Sequence, residues 1–292
     1  MRPAASVLLL TTLTGFAYGL LAWVGAYAAL GLLPVRPRFG LEAVALALLL
    51  ASLGLLASTL HLGRKERAWR AFSQWRSSWL SREGVAAVLT YPVAIAFAAA
   101  LYLDGAGVAA RLLGIAAAAA ALITVYCTSR IYASLKPIRQ WHNAHTAPDY
   151  LIYAVFSGAV LLALLHAALL GTPGAAAGAS VAAAAVALVA KRAYWRHIDT
   201  QTPLATLAAA IGLPKGTAVK PLDAPHFTEN YVLREMGFAV ARRHAVKLRR
   251  IALAAGFAAP LGLGLLASLS LVAVAATAAA LEVRGRAASI DD

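Results

Sequence analysis

The side chains best suited to chemistry lie close together in the sequence, between His61 and Glu83. An imidazole and a carboxylate at a lipid-accessible cleft suit quinone chemistry, because reduction of a quinone needs hydrogen-bond partners for its oxygens and a proton donor that refills from water. The alternative interpretation is an ordinary interfacial belt of arginine and tryptophan, with His61 as a polar residue at a helix end. The belt residues are Arg64, Arg67, Trp69, Arg70, Trp75, Arg76, Trp79 and Arg82.

The composition indicates which elements must position these side chains. Of the 292 residues 61% are hydrophobic and 13% are charged, whereas a soluble domain has roughly 45–50% apolar and about 25% charged residues. Lipid must therefore surround most of the chain. The net charge of +14 comes from basic residues between apolar runs, which favours membrane orientation, anionic headgroups or an acidic partner over nucleic acid.

Apolar runs long enough to cross about 30 Å of hydrocarbon predict an all-α bundle of transmembrane helices. A last apolar stretch, residues 251–281, contains Pro260 and is too long for one ordinary span, so we expect eight spans, with seven as the alternative. Residues 1–292 then form a single transmembrane domain. The first six predicted spans are 6–33, 40–62, 84–103, 108–130, 149–170 and 175–195.

The basic residues predict the orientation of these spans. If the helices alternate in direction, all but three of the 26 lysines and arginines lie on one side of the bilayer, and the exceptions are Arg36, Arg38 and Arg111. The positive-inside rule makes the basic side cytoplasmic. We therefore expect both termini and the loops 64–82 and 196–243 in the cytoplasm.

The remaining polar residues exclude several other functions. The middle of the predicted membrane region holds almost no ionisable residue, which argues against a small-solute transporter. Only His61 and His166 lie in predicted spans, near opposite surfaces, so we expect no bis-histidine haem. The single Cys127 cannot ligate an iron–sulfur cluster by itself and is expected to pack near a helix end. Arg130 and Tyr132 are candidate cleft walls, or else interfacial residues.

Two sequence blocks resemble a known family. His61-Leu-Gly-Arg-Lys-Glu-Arg67-Ala-Trp, followed by Ser77-Ser-Trp-Leu-Ser-Arg-Glu83, resembles the membrane anchor subunit of dimethyl sulfoxide reductase-type molybdoenzymes. The block Pro225-His-Phe-Thr-Glu-Asn-Tyr-Val-Leu-Arg-Glu-Met-Gly-Phe238 and the opening residues 6–15 are most similar to the branch that serves cytoplasmic sulfite dehydrogenases. One departure is Lys65, where many relatives have proline.

The resemblance implies an anchor without haem or cluster in the bacterial inner membrane. It implies that the anchor docks an iron–sulfur subunit, which carries a catalytic subunit with molybdenum on molybdopterin guanine dinucleotide. The implied site binds ubiquinone or menaquinone through His61, Gly63, Arg67 and Glu83. Candidate cleft walls are Arg64, Trp69, Arg130 and Tyr132, and candidate docking residues are Arg70, Arg76, His226, Asn230, Tyr231 and Arg234.

Three functions follow as hypotheses. The first is a quinone-binding anchor that passes electrons from sulfite, oxidised in the partner subunits, to membrane quinone. Here His61 and Arg67 would bind the quinone oxygens, and Glu83 would relay protons. The second is an anchor that oxidises quinol for a dimethyl sulfoxide or sulfur-compound reductase. The third is a small-solute transporter.

Overall fold

The computed structural model describes residues 5–36, 38–59, 65–172, 174–201, 207–214, 216–220, 222, 243–258, 260–262 and 264. The regular elements in these ranges are all helical, which confirms the predicted all-α class. Six helices are long and apolar enough to cross a membrane. They are α1 (Ala5–Leu30), α2 (Phe39–Thr59), α3 (Trp79–Asp104), α4 (Val108–Ala133), α5 (Thr146–Leu170) and α6 (Gly174–Thr200).

Shorter helices follow in the second cytoplasmic loop of our prediction and after it. They are α7 (Leu207–Ala210), α8 (Ala245–Leu253) and one π-helical turn, Ala254–Ala258. Most of the apolar stretch 251–281 lies outside the described residues, so the count of eight spans stays a prediction.

Several helix ends differ from the sequence-based expectation; α4 ends at Ala133, α5 begins at Thr146 and α6 ends at Thr200, each three to five residues beyond its predicted span, and two further ends have a visible cause. α1 ends at Leu30 and not at residue 33, because Gly31 adopts a φ of +69°, a left-handed conformation that glycine accepts without a Cβ clash. α3 begins at Trp79 and not at residue 84, because a helix continues beyond its apolar part where long polar side chains reach the interface. Glu83 therefore lies inside α3 rather than at its start.

α1 lies at the centre of the bundle and packs against α2, α4 and α5. Two glycine pairs allow the closest approaches, Gly19 with Gly158 of α5 and Gly25 with Gly114 of α4. A Cβ on any of the four would overlap or crowd backbone atoms of the facing helix. Such contacts are the usual basis of helix association in lipid, where no hydrophobic force holds helices together.

Hydrogen bonds between helices add to this packing. The Trp23 indole of α1 donates to the Val155 carbonyl of α5 at 2.8 Å. The hydroxyls of Thr90 in α3 and Thr124 in α4 are 3.1 Å apart and both residues are buried. These bonds fix the rotation of each helix about its own axis, because a hydrogen bond is directional whereas a contact between two alanine faces is not.

The Trp23 bond gives a stability prediction. Trp23→Phe should lower the free energy of unfolding by about 1 kcal/mol, the usual scale of an interhelical hydrogen bond in lipid. The measurement is thermal unfolding of the purified chain in detergent. Trp69→Phe, at an indole that is 64% exposed, is the matched control and should leave the midpoint unchanged. Equal midpoints for the two variants would contradict the assignment.

The helices alternate in direction, which gives the bundle two distinct ends. We call the end where α1, α3 and α5 begin the basic end. At the other end Arg36 pairs with Glu42 at 3.0 Å and donates to the Leu169 carbonyl at 2.8 Å. His166 packs there against Phe39, with ring centroids 4.6 Å apart. Cys127 is buried near the basic end of α4, as expected.

Candidate functional site

A carboxylate is held within the helical bundle at its basic end. Glu83, in the second turn of α3, is partly buried. The buried Thr128 of α4 donates its hydroxyl to Glu83 Oε1 at 2.6 Å. Carboxylates inside transmembrane segments are costly, so one that is retained and hydrogen-bonded is a candidate functional group.

Thr128 can serve Glu83 in both protonation states. Its Oγ1 also lies 3.1 Å from the Thr124 carbonyl oxygen. When Glu83 is ionised, Thr128 donates to the carboxylate. When Glu83 carries a proton, it can donate to Thr128, whose own proton then turns to the Thr124 carbonyl. The pair can therefore gain or lose a proton without leaving a buried group unpaired, as an acid–base site requires.

Trp79, one turn before Glu83 in α3, lies beside two arginines. The Arg82 guanidinium lies 4.3 Å from the Trp79 ring centroid, and the Arg130 guanidinium of α4 lies 5.3 Å from it. Arg82 also donates to the backbone carbonyls of Trp75 and Arg76, at 3.0 and 2.6 Å. Two arginines thus lie beside the Trp79 indole, and one of them, Arg82, is the neighbour of Glu83 in the sequence.

The loop before α3 folds back on that helix. The Phe72 ring, at the end of a 3₁₀ helix Lys65–Phe72, lies against Gly84. Arg67 is exposed on this 3₁₀ helix, and Arg70 lies 5.7 Å from the ring of the exposed Trp69. Arg76 similarly lies 5.5 Å from the Trp75 ring. The loop thus presents arginine and tryptophan side chains outward at the basic end.

His61, Gly63 and Arg64 lie outside the described residues, as do His226, Asn230, Tyr231 and Arg234. The assignments of these residues stay predictions.

A cavity of about 370 Å³ lies between α1, α4 and α5 at the same end. Its size falls within the usual range for small-molecule sites, about 300–1,000 Å³. Phe16, Val125 and Phe156 give it apolar walls, and Gly15 leaves one wall open. Six of its polar lining residues are Thr11, Thr12, Thr14, Thr128, Tyr150 and Tyr153.

Two connections link the cavity to residues already described. Thr128 lines the cavity and also binds Glu83, so the carboxylate lies one hydrogen bond behind the cavity wall. Tyr132, a predicted cleft wall, stacks on the lining residue Tyr150 with ring centroids 5.4 Å apart. Arg130, the other predicted wall on α4, contacts Trp79 instead.

One buried hydroxyl of the lining has no partner among the described residues. The Tyr153 hydroxyl oxygen is buried and neither donates nor accepts a hydrogen bond within the described part of the chain. The Lys191 ammonium lies 5.5 Å from the Tyr153 ring centroid. A cation beside a phenol ring is attracted to the π system of the ring. Its positive charge also makes the phenol hydroxyl a stronger hydrogen-bond donor. Leaving a buried donor unpaired is costly, so the Tyr153 hydroxyl is suited to a ligand oxygen.

Sequence reasoning overlooked Thr128 and the cavity. A signal was present in the spacing of Thr124 and Thr128, which puts two hydroxyls on one face of an alanine-rich helix. The cluster Thr11, Thr12 and Thr14 was a similar signal in α1. Nothing in either spacing tells which neighbouring helix the hydroxyls face.

The described ranges contain no group of three histidine, cysteine or acidic side chains that could hold a metal ion.

Comparison with known proteins gives a family and one curated relative. The sequence pattern of the DMSO reductase anchor subunit (DmsC) family matches residues 35–278. A sulfite dehydrogenase subunit of Allochromatium vinosum is 40% identical over 188 residues, which cover 59% of this chain and 58% of that protein. The match thus spans little more than half the length of the relative. No solved structure matches the chain.

Proposed function

The chain belongs to the DMSO reductase anchor subunit family, and from that premise we propose that it is the quinone-reactive membrane anchor of a molybdenum and iron–sulfur oxidoreductase. In this proposal a catalytic partner oxidises sulfite at molybdenum, and an iron–sulfur partner passes the electrons to a quinone at the basic end. The similarity to a sulfite dehydrogenase subunit supports sulfite as the substrate.

The observation that carries the proposal is the pairing of Glu83 with Thr128 at the basic end. Reduction of a quinone consumes two protons as well as two electrons. A carboxylate that lies near the interface and keeps a hydrogen bond in both protonation states can take protons from the adjacent water and deliver them. Glu83 is the residue we assign to that role.

The surrounding residues have supporting roles in the proposal. In the site that the family resemblance implies, His61 and Arg67 bind the quinone oxygens, and Gly63 allows the backbone to approach the ring. Arg70 and Arg76, exposed beside their tryptophans, dock an acidic surface of the iron–sulfur subunit. The other docking residues, His226, Asn230, Tyr231 and Arg234, belong to the loop 196–243. Lipid surrounds the spans.

We also propose that the basic end faces the cytoplasm of a bacterial cell and that the partners lie there. Single cysteines in a Cys127→Ala background test this orientation. Ser77→Cys, at an exposed position in the loop 64–82, should react with a membrane-impermeant maleimide only after the inner membrane is opened. Val35→Cys, at a residue that is 99% exposed between α1 and α2, should react in intact spheroplasts. The reverse pattern would contradict the orientation.

Purification of the intact assembly in mild detergent tests the function. We expect the chain to copurify with an iron–sulfur protein and a molybdenum protein, and the assembly to reduce ubiquinone or menaquinone when sulfite is added. A catalytic partner with an export signal and quinol-dependent reductase activity would favour the quinol-oxidising alternative. Solute uptake by the chain alone, without iron or molybdenum, would favour the transporter.

A further inference from the structure

We propose that the cavity between α1, α4 and α5 receives the quinone ring, with Thr128 contacting one ring oxygen and Tyr153 the other. This inference rests on the proposed function and deepens it. It assigns the ring to a place that Glu83 does not line, with Thr128 and Tyr153 at the ring oxygens in place of His61 and Arg67.

The first step of the argument is the shape and chemistry of the cavity. Phe16, Val125 and Phe156 can contact the flat faces of a planar ring, and the open wall at Gly15 leaves room for it. A quinone has only acceptor oxygens, so it needs donors at both ends. Three hydroxyls of the lining donate to carbonyls of their own helices, namely Thr11 to Val7, Thr14 to Leu10 and Ser157 to Ala154.

Tyr153 and Thr128 differ from those hydroxyls. The Tyr153 hydroxyl is buried without a partner among the described residues, and Lys191 lies over its ring. Thr128 donates across to Glu83. These two residues lie on different helices, α5 and α4, and both line the cavity, so we assign one end of the ring to each. A lipid acyl chain, which offers no acceptor, would leave the Tyr153 hydroxyl unpaired.

The proton balance requires the link to Glu83. Two electrons from the iron–sulfur cluster of the partner and two protons convert the quinone to the quinol. The oxygen at the Tyr153 end takes one proton from water of the basic end, while Tyr153 keeps its own proton as a hydrogen-bond donor. At the Thr128 end, the O–H bond of Thr128 breaks as its proton joins the ring oxygen, and Thr128 takes a proton from Glu83. Glu83 then regains a proton from water at the basic end. Thr128 is unchanged after each cycle, and the two protons come from the cytoplasm.

Photolabelling of the purified complex tests the position of the ring. The probes are an azido-benzoquinone and an azido-naphthoquinone, chased with unlabelled ubiquinone-1 and menaquinone-1. We expect one probe to label residues 11–16, 125–128 or 150–157 and the unlabelled parent to suppress that labelling. Gly15→Leu places a side chain in the open space of the cavity and should abolish the labelling. Gly178→Leu is the matched control, since a Cβ there also meets no atom within 4 Å but lies away from the cavity.

Two hydroxyl variants separate binding from proton transfer. Tyr153→Phe should raise the concentration of unlabelled quinone that halves the labelling by about 3- to 10-fold, as expected for one lost hydrogen bond. Thr128→Val should slow sulfite-dependent quinone reduction more than it weakens this competition. Normal values for both variants in both assays would overturn the assignment of these residues.

The outcomes distinguish this inference from the proposed function. Labelling that the parent quinone suppresses, found only outside the cavity segments and unaffected by Gly15→Leu, would overturn the cavity assignment and leave the quinone-reactive anchor standing. The absence of any suppressible labelling by either probe, in an intact complex, would overturn both.

Discussion

Glu83→Gln should lower sulfite-dependent quinone reduction by the purified complex about 100-fold or more, the range over which a positioned acid–base group acts. The amide cannot take up and release a proton at neutral pH, but its oxygen can still accept the Thr128 hydroxyl hydrogen bond. Folding and assembly should therefore survive. The measurement is the steady-state rate with sulfite as donor and ubiquinone or menaquinone as acceptor, per assembled complex.

Two controls accompany this variant. Glu66→Gln removes a carboxylate that is exposed in the 3₁₀ helix before α3 and should keep a near-normal rate. Electron transfer from sulfite to a soluble artificial acceptor should be unchanged in Glu83→Gln, because that reaction ends in the partner subunits. A near-normal quinone rate in Glu83→Gln would remove Glu83 from the site.

Gly158→Val should prevent the chain from accumulating in the membrane. Gly158 and Gly19 face one another across α1 and α5, and a Cβ on either would overlap backbone atoms of the other helix. The helices would have to separate, which would also break the Trp23 bond to Val155 and open the cavity. Overpacking of this kind costs about 1–3 kcal/mol, and more where backbone opposes backbone. Quantitative immunoblotting of membranes measures the loss.

Gly178→Val is the matched substitution for this test. Gly178 is also helical, but it is exposed, and a Cβ there meets no atom within 4 Å. We expect normal accumulation of this variant. Equal accumulation of Gly158→Val and Gly178→Val would show that the contact between α1 and α5 is not needed for folding.

Hydropathy located the six long helices because crossing the hydrocarbon fixes their length and composition. It misplaced the start of α3, since Arg82 and Glu83 lower the local hydropathy although the helix continues through them. It overran α1, where the left-handed Gly31 ends the helix in an apolar context. The lipid environment decides which segments form long helices, whereas local caps and interfacial side chains decide where each helix begins and ends.

The candidate site was predictable only in part. Glu83 stood out because charged residues are rare in such a chain. The partner of Glu83, Thr128, and the cavity depend on which faces of α1, α4 and α5 meet, and that is decided by close contacts such as Gly19 with Gly158 and Gly25 with Gly114. Two glycines four residues apart in α1, Gly15 and Gly19, illustrate the limit. Gly19 makes a close helix contact, while Gly15 faces the cavity.

The most direct test of the quinone-reactive anchor compares the partner subunits with and without this chain. Both preparations should oxidise sulfite with a soluble artificial acceptor at similar rates, but only the preparation that contains the chain should reduce ubiquinone or menaquinone. Equal quinone reduction by the partners alone would contradict a quinone site on this chain.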